Sequence, residues 1–388
     1  MTIPLSRRLF IGGTAAVTGA LASVTMAPRS WADMPAVPPA AGVGFPAFGP
    51  APGIAKLNAN ENPFGPSKAA LAAMAAASAQ GAYYVGESVT RLKQMIAERN
   101  RVDPSWVSLS AGSSGVLTYL AVAASKRGRI LAPDLYWDTT VRKAVAQGAE
   151  YVQLPKTPDL SIDLEAMAAA LDDTIALVQI TNPNNPTGLV LPADALRAFC
   201  RKASAHTLVL VDEAYNELTD DPERNSMIDL VREGRNVAIA RTFSKIYGLA
   251  GLRVGYLIAP PAITEEANRF GLGDYAMNQA GVAAAIASYA DETFVAYSKA
   301  KIVEGREMVL AAVKRLGLSA LPSGANFVFV NLGGLDAERF RMAMEARGVL
   351  VRGVYRDYTS WSRVSMGRIE DLERYVSALP AVLEALSA

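Results

Sequence analysis

The chain has 388 residues, 51% hydrophobic and 19% charged, a globular composition long enough for one large domain and a smaller one. Its net charge of +1 points to neither a nucleic-acid partner nor an anionic membrane. One cysteine and one histidine exclude an internal disulfide and argue against a His/Cys zinc site, so no metal is expected.

Taken in chain order, the first segment reads as a leader. Arg7 and Arg8 precede a weakly apolar run, and Ser30-Trp31-Ala32 carries the small residues of a signal-peptidase site. The Ser-Arg-Arg-x-Phe core is similar to a twin-arginine export signal. Residues 1–32 are therefore expected to be removed on export to the periplasm, leaving a mature chain of charge about −2. The run is too interrupted by Gly to serve as a stable membrane anchor. Residues 33–63 read as an N-terminal arm.

Residues 64–290 alternate helix-like and strand-like segments. "SKAALAAMAAASAQ" has Pro66 and Ser67 at its start, and "VTRLKQMIAERN" is amphipathic. Short apolar runs follow: "WVSLS", "GRILAP", "IALVQIT", "TLVLVDE" and "NVAIARTF". Helical patterns or loops separate them, which predicts an α/β fold with a mostly parallel sheet covered on both faces. Cys200, in the helix-like "ALRAFCRKA", reads as a small buried hydrophobe. His206 belongs at the N-terminal end of its strand. Residues 291–388 read as a smaller α+β domain: a long helix, the strands "NFVFVNL" and "VLVRGV" with a helix between them, and a closing helix. The cleft between the domains is the expected ligand site.

Each apolar run of the large domain ends in a polar motif. "WVSLS" leads into Gly-Ser-Ser-Gly, "RILAP" into "DLYWD", "IALVQIT" into "NPNNPTG", "TLVLVD" into "EAY" and "VAIART" into "FSK". Ligands bind beyond the carboxyl ends of strands in an open α/β sheet, so the five motifs are expected along one edge. Lys245, at the end of one run, could bond covalently to an aldehyde cofactor such as pyridoxal phosphate (PLP). Such a cofactor needs an acid at its ring nitrogen, and Asp212 ends a strand. Tyr215 and Asn185 could donate to its phenolate oxygen. Ser113 and Ser114, at an expected helix start, could bind its phosphate together with Thr242, Ser244 and Arg253. Glycines at 248, 251 and 255 would let backbone approach closely. Alone, Asp-Glu, Asn-Pro-Thr-Gly or Ser-Lys carries little weight; it is their order at successive strand ends that points to a site.

These motifs, with "LNANENPFGPS", "GLAGLRVGY", "ANFVFV" and "SRVSMG", resemble the class I/II aminotransferases of PLP fold type I. The branch that looks most similar is histidinol-phosphate aminotransferase, and the resemblance covers nearly all of the expected mature chain. It implies a PLP-transferase-like αβα large domain and transfer of an amino group between a small-molecule donor and a 2-oxo acid. Lys245 would carry the cofactor, Asp212 would partner the ring nitrogen, and Tyr215 and Asn185 the phenolate oxygen. Ser244 and Arg253, helped by Ser113 and Ser114, would bind phosphate, and Tyr84 would reach the phosphate from the neighbouring subunit of a homodimer with shared active sites. Tyr136 is taken as the stacking ring, with Trp137 as the alternative. Asn60, Arg352 and Arg363 would contact substrate, although Arg352 reads equally as a solvated strand-end charge. The chain departs from that branch at Tyr84-Val85-Gly86, at "GSSGV" and at "PDLYWDTT". The same motifs would also serve PLP-dependent oxidation, elimination or racemisation. A non-catalytic binding protein is disfavoured by intact Lys245, Asp212 and Arg253, and an NAD-binding dehydrogenase by the lack of G-x-G-x-x-G after a strand.

Overall fold

The computed structural model describes residues 48–387. The expected leader, and the arm up to residue 47, lie outside the described residues. By its contacts the chain from Pro50 onward forms one compact unit.

The described chain opens with β1 (Ala55–Lys56), α1 (Lys68–Ser78) and α2 (Glu87–Asn100). Ser67 caps α1 as the sequence suggests, its Oγ accepting from the Ala70 N–H at 3.2 Å. Then come β2 (Val107–Ser110), α3 (Ser113–Ala124), β3 (Arg129–Pro133), α4 (Thr139–Val145) and β4 (Tyr151–Leu154). Next are α5 (Leu164–Ala169), β5 (Ile175–Thr181), α6 (Ala193–Ala203), β6 (Leu208–Asp212), α7 (Pro222–Asn225), α8 (Ile228–Arg232) and β7 (Val237–Thr242). β8 (Gly255–Ile258), α9 (Pro261–Phe270) and α10 (Gln279–Ala290) complete this stretch. The expected boundary at 290/291 falls between α10 and α11 (Glu292–Arg315). β9 (Ser319–Ala320), β10 (Phe327–Asn331), α12 (Ala337–Glu345), β11 (Val349–Leu350), β12 (Trp361–Ser365) and α13 (Ile369–Ser387) follow.

Seven strands form the central sheet in the order β2-β8-β7-β6-β5-β3-β4. β7, β6, β5, β3 and β4 pair in parallel, and β8 is antiparallel to both of its neighbours. β2 therefore runs with the parallel set. Alternate side chains of one strand enter two different cores: Leu208 and Leu210 join one apolar cluster, Val209 and Val211 the other. That split follows from the two-residue period of a strand, and it requires helices on both faces. The αβα layering is thus the arrangement that the apolar runs predict. Cys200 is fully buried in one of these cores, and burial pushes its thiol pKa upward. His206 is exposed, two residues before β6.

The structure adds five strands that the sequence reading lacks, the two-residue β1 and β9 together with β4, β8 and β12, and shortens another. β8 returns through "GYLI", a run too close to the Gly-rich motif to stand out. β4 is an edge strand with no fully buried residue, so its apolar signal is weak. β12 overlaps "SRVSMG", where two serines and an arginine interrupt the apolar pattern. "VLVRGV" gives only the two-residue β11, followed by an isolated bridge between Arg352 and Arg363.

The arm is woven into the C-terminal strands. β1 pairs in parallel with β11. Leu57 N–H then donates to Leu350 O, and Leu57 O accepts from Ser365 N–H, both at 2.8 Å. Residues 58–61 are thereby carried to the rim of the central sheet.

Candidate active site

A cavity of about 680 Å³ opens at the carboxyl ends of the central strands. All five polar motifs meet there: Ser113 and Ser114 after β2, Leu135 to Thr139 after β3, Asn185 after β5, Asp212 and Tyr215 at the end of β6, and Thr242, Ser244 and Lys245 after β7. The convergence expected from strand order is present. The arm contributes Asn58 to Glu61, and the C-terminal region contributes Arg352, Tyr355, Arg356 and Arg363.

One end of the cavity is a set of donors. Arg253 Nη2 donates to Ser114 Oγ at 3.2 Å, and its Nη1 approaches Ser244 Oγ at 3.5 Å. Thr242 Oγ1 donates to Ser244 Oγ at 2.9 Å and accepts from the Ser244 N–H at 3.1 Å. Ser113 and Ser114 open α3, whose first N–H groups have no intrahelical acceptor. Glycine is required twice in this cradle. Gly112 has φ of 77°, and a Cβ there would collide with the Arg253 guanidinium. A Cβ on Gly255 would collide with the backbone at Gly112 and Ser113, so β8 lies flush against the start of α3. Gly248 packs closely on Gly65, but Gly251 faces open space, contrary to the expectation that it admits a close approach. Hydroxyls, free N–H groups and one fixed guanidinium make a donor set suited to a phosphate dianion.

The other residues line the route toward Lys245. Its Nζ donates to Asn60 O at 2.8 Å and stands 5.4 Å from the centre of the Tyr215 ring. Burial, reinforced by the charge of Arg363, lowers the Lys245 ammonium to about 8, against the pull of Asp212 and Glu61. Asp212 is buried, and its Oδ1 accepts from the Ala214 N–H at 3.2 Å. Burial pushes its carboxyl up to about 7, although that bond and the Lys245 charge act in the opposite direction. The Tyr215 hydroxyl accepts from Asn60 Nδ2 at 2.9 Å and faces Asn185 Nδ2 at 3.4 Å. Burial raises its pKa, keeping it a neutral donor. Asn60 Oδ1 accepts from Ser365 Oγ at 2.7 Å, so the arm and β12 together hold this amide.

Arg363 is buried. Its Nη1 donates to Asn185 Oδ1 at 2.8 Å and its Nη2 to Asn58 O at 3.0 Å. Its Nε is buried with no hydrogen-bond partner among the described residues. Arg352 is exposed at the cavity wall, with its guanidinium 5.4 Å from the Tyr355 ring centre. Tyr136 is 4% exposed and packs into one apolar cluster, whereas Trp137 is half-buried against the same cluster; both line the cavity. Tyr84 is the one candidate that does not line the cavity. It is 85% exposed, edge-on to Tyr275 at 6.0 Å.

The sequence reading missed several lining residues. Asn58 and Glu61 lie inside the quoted "LNANENPFGPS", where only Asn60 was selected. Asp138 lies inside the quoted "DLYWD" and Arg142 four residues after it, but neither was selected, and Arg356 had no local signal. Asp138 Oδ2 accepts from Arg142 Nε at 2.6 Å and is bonded to Arg356 as well, a triad that only the tertiary fold assembles.

The sequence profile of aminotransferase class I and II matches residues 52–379. The chain belongs to this family. It is 36% identical over 335 residues to histidinol-phosphate aminotransferase 1 of Cupriavidus pinatubonensis, covering 86% of this chain and 89% of that one. It is also 36% identical over 330 residues to an aromatic amino acid aminotransferase of Thermobifida fusca, covering 85% and 90%. Among solved structures, histidinol-phosphate aminotransferase of Sinorhizobium meliloti, in complex with pyridoxal-5′-phosphate, superposes with a TM-score of 0.78 at 31% identity, covering 86% and 92%. The protein is a PLP-dependent transaminase, and the donor cradle, the lysine and the buried acid of its cavity fit that cofactor. No helix among the described residues is long and apolar enough to cross a membrane.

Proposed function

We propose that this transaminase exchanges the amino group of an amino acid, or of a histidinol-phosphate-like amine, with a 2-oxo acid. The donor's carboxylate or phosphate is held by Arg363, with Arg352 beside it. One observation carries this reading: a buried guanidinium faces the cavity with, among the described residues, an unpartnered Nε and no carboxylate bonded to it. A buried cation of that kind awaits an anion. Arg363→Ala is expected to raise KM for such donors about 10- to 100-fold, the scale of a lost charge-assisted hydrogen-bond pair, with a smaller change in kcat. An unchanged KM would remove its role.

The remaining residues take these parts. Ser113, Ser114, Thr242, Ser244 and Arg253 would hold the cofactor phosphate. Tyr215 and Asn185 would donate to the ring oxygen, and Tyr136 or Trp137 would stack on the ring. When bound, PLP supplies an electron-accepting ring that stabilises negative charge on the carbon beside the amine. Asp212 would keep a proton on the ring nitrogen, and its carboxylate, which burial disfavours, would be favoured by that cationic neighbour. Lys245 Nζ would take the proton from the donor's Cα as a general base and, as a general acid, give it up at the cofactor's C4′. Asn60 orients Tyr215 through its amide and Lys245 through its carbonyl.

The lowered Lys245 value gives a pH dependence with a definite sign. Only the neutral amine attacks an aldehyde. The rate at which cofactor-free protein captures PLP should therefore rise with pH and level off above about 8. An unperturbed lysine would hold that plateau off until about 10.4. Stopped-flow absorbance across this range distinguishes the two.

We further propose a homodimer with shared sites, in which Tyr84 reaches the neighbouring subunit's phosphate cradle. Its exposure, its place outside its own chain's cavity and the exposed Tyr83, Leu272 and Tyr275 nearby support this reading; sedimentation at the mass of one chain would end it. Export by the twin-arginine route is likewise proposed from the Ser-Arg-Arg-x-Phe leader. It is checked by the N-terminal mass of periplasmic protein, expected to begin after Ala32.

A panel of amino donors, assayed with and without a 2-oxo acid, tests the reaction itself. Transamination requires the acceptor. Ammonia or peroxide released without it would turn the reading to elimination or oxidation.

A further inference from the structure

Behind the cavity lies a buried ion pair that lines no part of it. Glu213 is fully buried and Arg241 nearly so. Arg241 Nε and Nη2 donate to Glu213 Oε2 at 3.0 and 2.8 Å. Arg241 Nη2 also donates to Ser226 Oγ at 2.8 Å, and its Nη1 to Asn100 Oδ1 at 3.0 Å. Glu213 Oε1 accepts from the Met227 N–H at 2.8 Å, and Ser226 Oγ lies 2.9 Å from its Oε2. Arg241 thus uses all three guanidinium nitrogens, and both oxygens of Glu213 are engaged.

The position of the pair gives it a consequence. Asp212 stands opposite Ala240 in the ladder, and Glu213 N–H makes the next bond, to Ala240 O at 2.9 Å. Glu213, the residue just after β6, and Arg241 stand one position beyond that last pair. Because successive strand side chains point to opposite faces, the pair lies on the far side of the sheet from Asp212 and Thr242. It clamps two strand ends at the point where each delivers a site residue: Asp212 from β6, and Thr242, Ser244 and Lys245 from β7. Asn100, at the end of α2, and the 226–227 turn brace the clamp from outside.

We propose that Glu213 and Arg241 are positioning residues for transamination, fixing Asp212 at its distance from Ser244 and Lys245. The proposal rests on the cofactor roles given to those three residues. A buried ion pair is a poor source of net stability, since apolar replacements of similar volume are often neutral or better. What it supplies is fixed geometry through a planar fork, which lysine cannot reproduce.

The test compares wild type with Arg241→Lys, which keeps the charge, and with the double variant Glu213→Gln/Arg241→Met, which removes both charges of the pair together. Three quantities are read: melting temperature of the cofactor-free protein, its Kd for PLP by absorbance titration, and kcat with KM. Both variants should melt near wild type, yet bind PLP about tenfold more weakly and lose about 10- to 100-fold in kcat, the cost of a displaced catalytic group. KM should stay within about twofold, because the substrate arginines are untouched. A double variant that binds PLP and turns over within twofold of wild type overturns the proposal. So does a loss of kcat that merely follows the loss of melting temperature. Failure of wild type itself to bind PLP would instead sink the cofactor reading on which the proposal stands.

Discussion

Lys245→Ala should lose about 10³- to 10⁴-fold in kcat, the range expected when the group that moves the proton in the transition state is removed. Among the described residues, Lys245 Nζ is the one amine that the cavity presents beside Tyr215 and Asn60. The variant should still bind PLP, because Ser114, Ser244 and Arg253 are untouched, but the cofactor should come away on dialysis. Folding should be unimpaired, since the substitution removes a buried ammonium that burial already disfavours. Kinetics and dialysed cofactor content, read on the same preparation, check both halves. Turnover within tenfold of wild type would end the assignment.

Asp212→Asn should lower kcat roughly 10²- to 10³-fold, the scale seen when one preorganised electrostatic partner is lost, with little change in KM. It also carries a readout independent of activity. Burial raises the Asp212 carboxyl from 3.8 to about 7 in the cofactor-free protein. The folded state then binds more protons than the unfolded state between those values, so this group's contribution to stability falls as pH rises through that window. Asparagine cannot titrate. Cofactor-free Asp212→Asn should therefore gain in melting temperature relative to wild type as pH is raised from about 4 to 7, and the gap should close at the acid end. A gap independent of pH would contradict the burial account.

Most of the sheet was legible because its strands are buried on both faces, and continuous apolar runs such as "TLVLVD" leave no other reading. The same property made the site legible: each run ends in residues that the fold then has nowhere to place but one edge. Asp212 and Lys245 could be named because they end or closely follow such runs, and Arg253 because it lies in the motif "GLAGLRVGY". Arg241 sits inside an apolar strand and Glu213 directly follows Asp212; their pairing depends on the register of β6 against β7, which no local pattern encodes. Arg356 and Asp138 come from segments more than 200 residues apart. Arg356 also holds a left-handed backbone, with φ of 51°, where glycine would be expected. Arg363 was reachable by motif alone; its burial and its bond to Asn185 depend on the β10–β12 pairing and the woven arm. Tyr84 belongs to a surface that a single chain leaves bare.

Borohydride reduction of the PLP-loaded enzyme, followed by proteolysis and peptide mass analysis, tests the central claim most directly. Reduction fixes the cofactor to whichever lysine carries it. The account predicts one modified peptide, the one containing Lys245, and no modification in Lys245→Ala. Modification at another lysine, or none in protein that has been incubated with PLP, would contradict it.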